Sequence, residues 1–122
     1  AEAECLQDSM KKALRSANLS EVDSIIMHAP GTLKGDESEY KAIKNLFGEE
    51  MPHLISTKYT TGHTFGASGA LSMELAILML AHNKLINFPY ESLPVGKHKE
   101  VKNIMINATG FGGNAVSIIL SK

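Results

Sequence analysis

Apolar residues recur at helical spacing from the start of the chain. Leu6, Met10, Ala13, Leu14 and Ala17 form one stripe, which predicts an amphipathic helix over residues 2–17. Asn18 follows, where a helix often ends in the left-handed conformation that Asn tolerates. Val22 to His28 is a β-branched, apolar run short enough for a buried strand, and Ala29-Pro30-Gly31 stops it. Asp36, with Glu39 three residues on, has the spacing of a capping box ahead of a helix whose inner face is Tyr40, Ile43, Leu46 and Phe47 and which Gly48 closes. Leu54 to Thr57 predicts a second short strand. Phe65 to His82 is apolar nearly all round, the pattern of a helix buried on several sides. Its first turns hold Gly66, Ala67, Ser68, Gly69 and Ala70, small residues that suit close packing near His63. Ile104 to Thr109 and Ala115 to Leu120 read as two strands joined through Gly110-Phe111-Gly112-Gly113. The order α-β-α-β-α-β-β predicts one α/β domain over residues 1–122, with Asn87 to Lys102 as the only linker-like stretch and no internal repeat.

Composition narrows the possibilities. The chain has 122 residues, 43% hydrophobic and 20% charged, enough for one core. With 12 basic and 13 acidic residues interspersed and a formal net charge of −1, it lacks the electrostatic footprint of a nucleic-acid binder. The single Cys5 rules out an internal disulfide and fits a reducing compartment, the cytoplasm by default. The most apolar segment, Leu75 to Ala81, is far short of the roughly 20 residues that span a bilayer, so no membrane segment is expected. The chain opens inside an amphipathic pattern, without an initiator Met, and so reads as a piece of something longer.

Several residues occupy places where side chains are aimed at a site. His28 stands where a strand opens into a Pro-Gly loop, and His63 stands just before the N-terminus of an apolar helix. The positive end of a helix favours neutral imidazole there, and a neutral imidazole is a good hydrogen-bond donor to a developing oxyanion. Either the two histidines serve one site or they are unrelated core and surface residues. Lys58, five residues before His63, either supplies positive potential or is simply solvated. Capping alone accounts for Asp36 and Glu39, and Thr32 reads as a loop threonine with a hydroxyl that a ligand could use. The amides of Gly110 to Gly113 can line an anion site or merely turn a hairpin, and Phe111 between glycines either plugs the core or gates a pocket. Cys5 lies within the first helix and reads as a small helix residue, not a nucleophile. His53, His82 and His98 show no metal-ligand spacing.

Three groups of residues, taken together and in order, resemble the β-ketoacyl synthases of the thiolase-fold condensing enzymes. They are Met27-His28-Ala29-Pro30-Gly31-Thr32 with Gly35-Asp36 and Glu39, then Ser56-Thr57-Lys58 with Thr61-Gly62-His63, and Asn107 with Gly110-Phe111-Gly112-Gly113-Asn114. The resemblance covers essentially the whole chain and corresponds to the C-terminal of the family's two similar halves. It implies a thiolase-like half: a mixed sheet with a buried helix on one side and two covering helices on the other. It also implies an acyltransferase that joins a malonyl-type extender, carried on acyl carrier protein, to an acyl chain held on a cysteine in the N-terminal half, with loss of carbon dioxide. By the resemblance, His28 and His63 bind the extender's thioester carbonyl and Lys58 organises the site. Phe111 is the gating aromatic, and its amide, beside Gly110, is half of the oxyanion hole. Glu39, with Asp36 near it, lies beneath the site, and Thr32 contacts the pantetheine arm.

No cofactor of the enzyme's own is implied, because the substrates ride on the phosphopantetheine of the carrier protein. The implied partners are the N-terminal half, acyl carrier protein and a second subunit in a homodimer or heterodimer. This sequence departs from the family where Ala29 and Pro30 replace the first two residues of a Gly-Thr-Gly-Thr loop, where Thr109 replaces a phenylalanine, and where one residue is missing between Gly113 and Asn114. Those departures favour a second reading, a non-catalytic partner like the chain-length subunits that pair with active synthases. A third is a domain that only docks carrier protein through Lys97, His98, Lys99 and Lys102. If the N-terminal half normally packs on this one, an apolar face is expected on the isolated chain, and the isolated chain alone is expected to be inactive.

Overall fold

The computed structural model describes residues 2–29, 32–56, 68–86, 100–110 and 113–122. Helix α1 spans Glu2–Ala17, β1 Ser24–Ile26, α2 Leu33–Phe47, β2 His53–Ile55, α3 Ser68–His82, β3 Asn103–Thr109 and β4 Ala115–Ser121. Among the described residues the element order is the one the pattern predicts.

The strands form a mixed four-stranded sheet in the order β2-β1-β3-β4. Strand β1 is parallel to both neighbours, with Ile26 opposite Ile55 and Ile106, and β4 returns antiparallel to β3 with Asn107 opposite Ser117. Successive strand residues point to opposite faces, and that alternation sorts the core in two. Ile25, Leu54 and Met105 face Leu6, Met10 and Leu14 of α1 and Ala42 and Ile43 of α2. Ile26, Ile55, Ile104 and Ile106 face Ala76, Met79 and Leu80 of α3. The fold is therefore a thiolase-like half with two helices on one face and one on the other, as the resemblance implies. Each fully buried Leu, Ile or Met contributes roughly 1.5–3 kcal/mol by leaving water.

The ends of the first two helices follow from local chemistry. Asn18 takes φ 55, and the Asn18 and Leu19 N–H groups close on the carbonyls of Arg15 and Leu14 at 3.1 and 2.9 Å. Gly48, at φ 64, ends α2 with its N–H on the Lys44 carbonyl. At the N-terminal edge of the sheet, Asp23 Oδ2 accepts from the Lys102 and Asn103 amides at 2.8 and 2.9 Å, fastening β3 to β1. Next to it the buried Ser24 hydroxyl donates to the His53 carbonyl and lies 3.0 Å from His53 Nδ1.

Three expectations need correction. Helix α2 begins at Leu33, not Asp36: Thr32 is its N-cap and accepts from the Gly35 N–H at 3.2 Å. Asp36 lies in the first turn, so Asp36 and Glu39 do not form a capping box, because Thr32 already satisfies the end of the helix. Helix α3 is not buried on several sides. It buries Ser72, Ala76, Met79 and Leu80, while Ile77 and Leu78 stay 56% and 48% exposed, since among the described residues only one face of the helix packs against the sheet. Gly69 is not there for close packing among the described residues, since a Cβ on it would meet nothing within 4 Å.

Candidate active site

The three parallel strands all end on one edge of the sheet, and in open α/β sheets ligands bind beyond those carboxyl ends. There β1 delivers His28, β2 delivers Ser56, and β3 delivers Asn107 through Thr109. Met27 N–H still donates to the Ile55 carbonyl at 2.7 Å. After it the backbone leaves the ladder, and two consecutive amides need other acceptors.

Glu39 supplies both. Its Oε1 accepts the His28 N–H at 2.8 Å and its Oε2 the Ala29 N–H at 2.7 Å. The carboxylate comes from the second turn of α2 and is only 4% exposed. A buried charge of this kind is tolerated where it is hydrogen-bonded, and charge-assisted bonds to two adjacent amides hold the turn more firmly than neutral acceptors do. Ala29 sits at φ 32, a conformation L-residues rarely take. Left-handed geometry costs a non-glycine residue about 1–2 kcal/mol, and burial of the Ala29 methyl offsets on the order of 0.8 kcal/mol of that. The clamp on its amide is what holds the strained turn in place. His28, at the head of the turn, is itself buried.

Asn107 joins the same cluster. Its Nδ2 lies 3.4 Å from Glu39 Oε1 and 3.4 Å from Met10 Sδ, and its Oδ1 accepts from the Ser117 hydroxyl at 2.8 Å. Beside the clamp, Met27, Ala29, Leu33, Asp36, Glu37, Tyr40 and Ser56 line a cavity of about 310 Å³ between the strand ends and the first turns of α2. Leu33 stands at its mouth, 93% exposed.

Of the residues singled out in the sequence, the structure brings His28, Glu39, Asp36 and Thr32 to this edge. The Thr32 hydroxyl is engaged as the N-cap. The Gly110 amide is engaged in closing the β3–β4 connection on the Asn114 carbonyl at 2.8 Å. Lys58, His63 and Phe111 lie outside the described residues, as do Lys97, His98 and Lys99. Cys5 is exposed on α1. Among the described residues no helix is long and apolar enough to cross a membrane. Sequence reasoning gave Asn107 no role. The available signals were its place in the third motif and a polar amide, between Ile106 and Ala108, on the face where alternation calls for a core residue.

Comparison with known proteins bears on the family and the fold. Residues 1–89 match the family model described as "Beta-ketoacyl synthase, C-terminal domain". A curated relative, 3-oxoacyl-[acyl-carrier-protein] synthase 1 of Haemophilus influenzae, is 34% identical over 93% of this chain and 30% of its own length. Among solved structures, "The ishigamide ketosynthase/chain length factor" superposes with a TM-score of 0.83 at 26% identity, over 98% of this chain and 33% of that one. "AntDE:AntF (apo): type II PKS acyl-carrier protein in complex with its ketosynthase bound to the hexaketide" superposes at 0.77 with 24% identity, over 99% of this chain and 32% of that one. The chain thus spans about a third of the length of the proteins it matches.

Proposed function

Because the chain belongs to the β-ketoacyl synthase family, as its C-terminal domain, we propose that it is the half of a condensing enzyme that receives the malonyl-type extender. The single observation that carries this is the Glu39 clamp on the His28 and Ala29 amides. It fixes a histidine at the carboxyl edge of the sheet, in the segment where the family resemblance puts the first of its two histidines.

The chemistry is decarboxylative condensation, with an acyl chain held as a thioester on a cysteine of the N-terminal half. The bond from the extender's carboxylate to its α-carbon breaks, carbon dioxide leaves, and the electron pair remains as an enolate on the thioester carbonyl. His28 and His63 donate hydrogen bonds to that oxygen, where the charge develops and where fixed donors contribute most. The enolate carbon then attacks the acyl thioester carbonyl, a carbon–carbon bond forms, and the cysteine leaves as thiolate. Lys58 holds the His63 region, and Phe111 gates the acyl chain while its amide donates to the second oxyanion. Thr32, which caps α2, contacts the pantetheine arm. No cofactor is required, since phosphopantetheine on the carrier protein delivers both substrates.

The partners follow from the same reading. Acyl carrier protein is the partner that delivers substrate, and a solved structure of a carrier protein in complex with its ketosynthase, which shares the fold, supports the pairing. The N-terminal half covers the apolar face that α3 and β4 leave open. Ile77 and Leu78 are exposed there with Val116 and Ile118, and Ile77, Leu80, Ala81 and Leu120 bound a groove of about 270 Å³. The complete protein pairs with a second subunit, identical or related, and works in the cytoplasm. A non-catalytic, chain-length-type role is not favoured, because the curated relatives are synthases.

The test is reconstitution of the complete protein with an acyl donor and malonyl carrier protein. Mass spectrometry should find the acyl group on a cysteine outside residues 1–122 and a product lengthened by two carbons. Neither adduct nor product would refute the proposal.

A further inference from the structure

We propose that Asn107 is a positioning residue of the condensation site, acting through Glu39 to set the place of His28; this rests on the function proposed above. The position is anomalous for packing. In β3, Met105 and Asn107 point to the side of α1 and α2 while Ile104 and Ile106 point to α3, so alternation calls for an apolar residue against Met10. Asn107 is instead a primary amide, 3% exposed. Burying an amide is costly unless its hydrogen bonds are made, and a leucine would fill the same volume without that cost.

What the amide supplies is orientation. Its Nδ2 approaches Glu39 Oε1, the same oxygen that accepts the His28 N–H. Its Oδ1 accepts from the hydroxyl of Ser117, directly opposite on β4. Turned over, the amide would aim Oδ1 at a carboxylate and a thioether, both electron-rich, so only one orientation is stable. A chain therefore runs from the Ser117 hydroxyl to the Asn107 amide, to the Glu39 carboxylate, to the His28 backbone. It crosses β4, β3, α2 and the loop after β1. Without Asn107 the carboxylate keeps its bonds to the two amides and loses a contact at Oε1 that helps to orient it. The His28 turn then gains freedom at the scale of a fraction of an ångström, to which catalytic positioning is sensitive.

The test uses the complete protein carrying Asn107→Leu, which keeps the core filled, and Ser117→Ala, which leaves Nδ2 in place but releases the amide from its anchor. In Asn107→Leu, kcat for malonyl decarboxylation should fall roughly 10- to 100-fold with KM within about two-fold of wild type. Acylation of the cysteine should be unchanged, and amide exchange at His28 and Ala29 should quicken while that of β2 does not. Ser117→Ala should move the same readouts the same way, by less, and it decides the matter if Asn107→Leu does not fold. A folded variant with wild-type kcat, or with unaltered exchange at His28 and Ala29, overturns the proposal. If the wild-type protein releases no carbon dioxide, the condensation reading fails by itself, and exchange at the two amides still shows whether Asn107 holds the turn.

Discussion

Removing the Glu39 carboxylate should loosen the His28 turn far more than it loosens the rest of the domain. Two buried amides donate to it at 2.8 and 2.7 Å. A buried donor left without its acceptor costs about 1–3 kcal/mol, so Glu39→Ala should cost roughly 2–6 kcal/mol for the two amides together. Glu39→Gln keeps one acceptor oxygen and turns an NH₂ toward the other amide. It loses one bond and should cost about 1–3 kcal/mol. At 1.4 kcal/mol per factor of ten, the alanine variant should exchange its 28 and 29 amides on the order of 30- to 10⁴-fold faster, and the glutamine variant roughly 5- to 150-fold faster. Hydrogen–deuterium exchange read by NMR or peptide mass spectrometry, with the Ile25 and Ile26 amides as internal reference, measures both. If Glu39→Ala changes exchange at 28 and 29 by less than about three-fold, the clamp contributes little and the reasoning is wrong. Equal acceleration across β1 would be just as damaging, because it would mean the side chain acts on the fold as a whole.

Four other outcomes are expected. Met10 is fully buried against the sheet, so Met10→Ala should lower stability by about 2–5 kcal/mol in urea titration, and a loss under about 1 kcal/mol would mean the α1 face packs differently. Asp23→Ala strips the acceptor from the Lys102 and Asn103 amides and should cost roughly 1.5–3 kcal/mol, seen as faster exchange at the start of β3; unchanged exchange there would contradict it. Thr32→Ala removes the α2 N-cap and should cost about 0.5–2 kcal/mol, whereas Thr32→Ser should restore most of it. Produced alone, residues 1–122 expose Ile77, Leu78, Val116 and Ile118 together and should self-associate in sedimentation velocity; a monodisperse monomer would mean the face needs no cover.

Much of this architecture was legible from period and punctuation. The 3.6-residue stripe of α1, the glycine that ends α2 and the paired apolar runs of β3 and β4 each sit within a residue or so of the predicted place, because local chemistry decides them. The start of α2 was misread because Asp36 and Glu39 imitate a capping box while Thr32, four residues earlier, is the true cap. The spacing says a carboxylate is available and cannot say which amides it meets. Those amides belong to residues 28 and 29, brought to α2 by sheet packing, and that contact is tertiary. The same limit applies to α3, whose all-round apolarity does not say which of its faces the described residues leave exposed. Asn107 was visible as part of the third motif and as an exception to alternation, with no role attached. Its meaning needed the distances to Glu39 and Ser117.

The central claim is that His28, fixed by its turn, serves the decarboxylation half of a condensation. Carbon dioxide release from a malonyl thioester by the complete protein, wild type against His28→Ala, tests it most directly, with acyl transfer to the cysteine followed in parallel. The variant should still accept the acyl group and stay folded but release carbon dioxide at least about 100-fold more slowly. Release at the wild-type rate from a folded His28→Ala protein would contradict it.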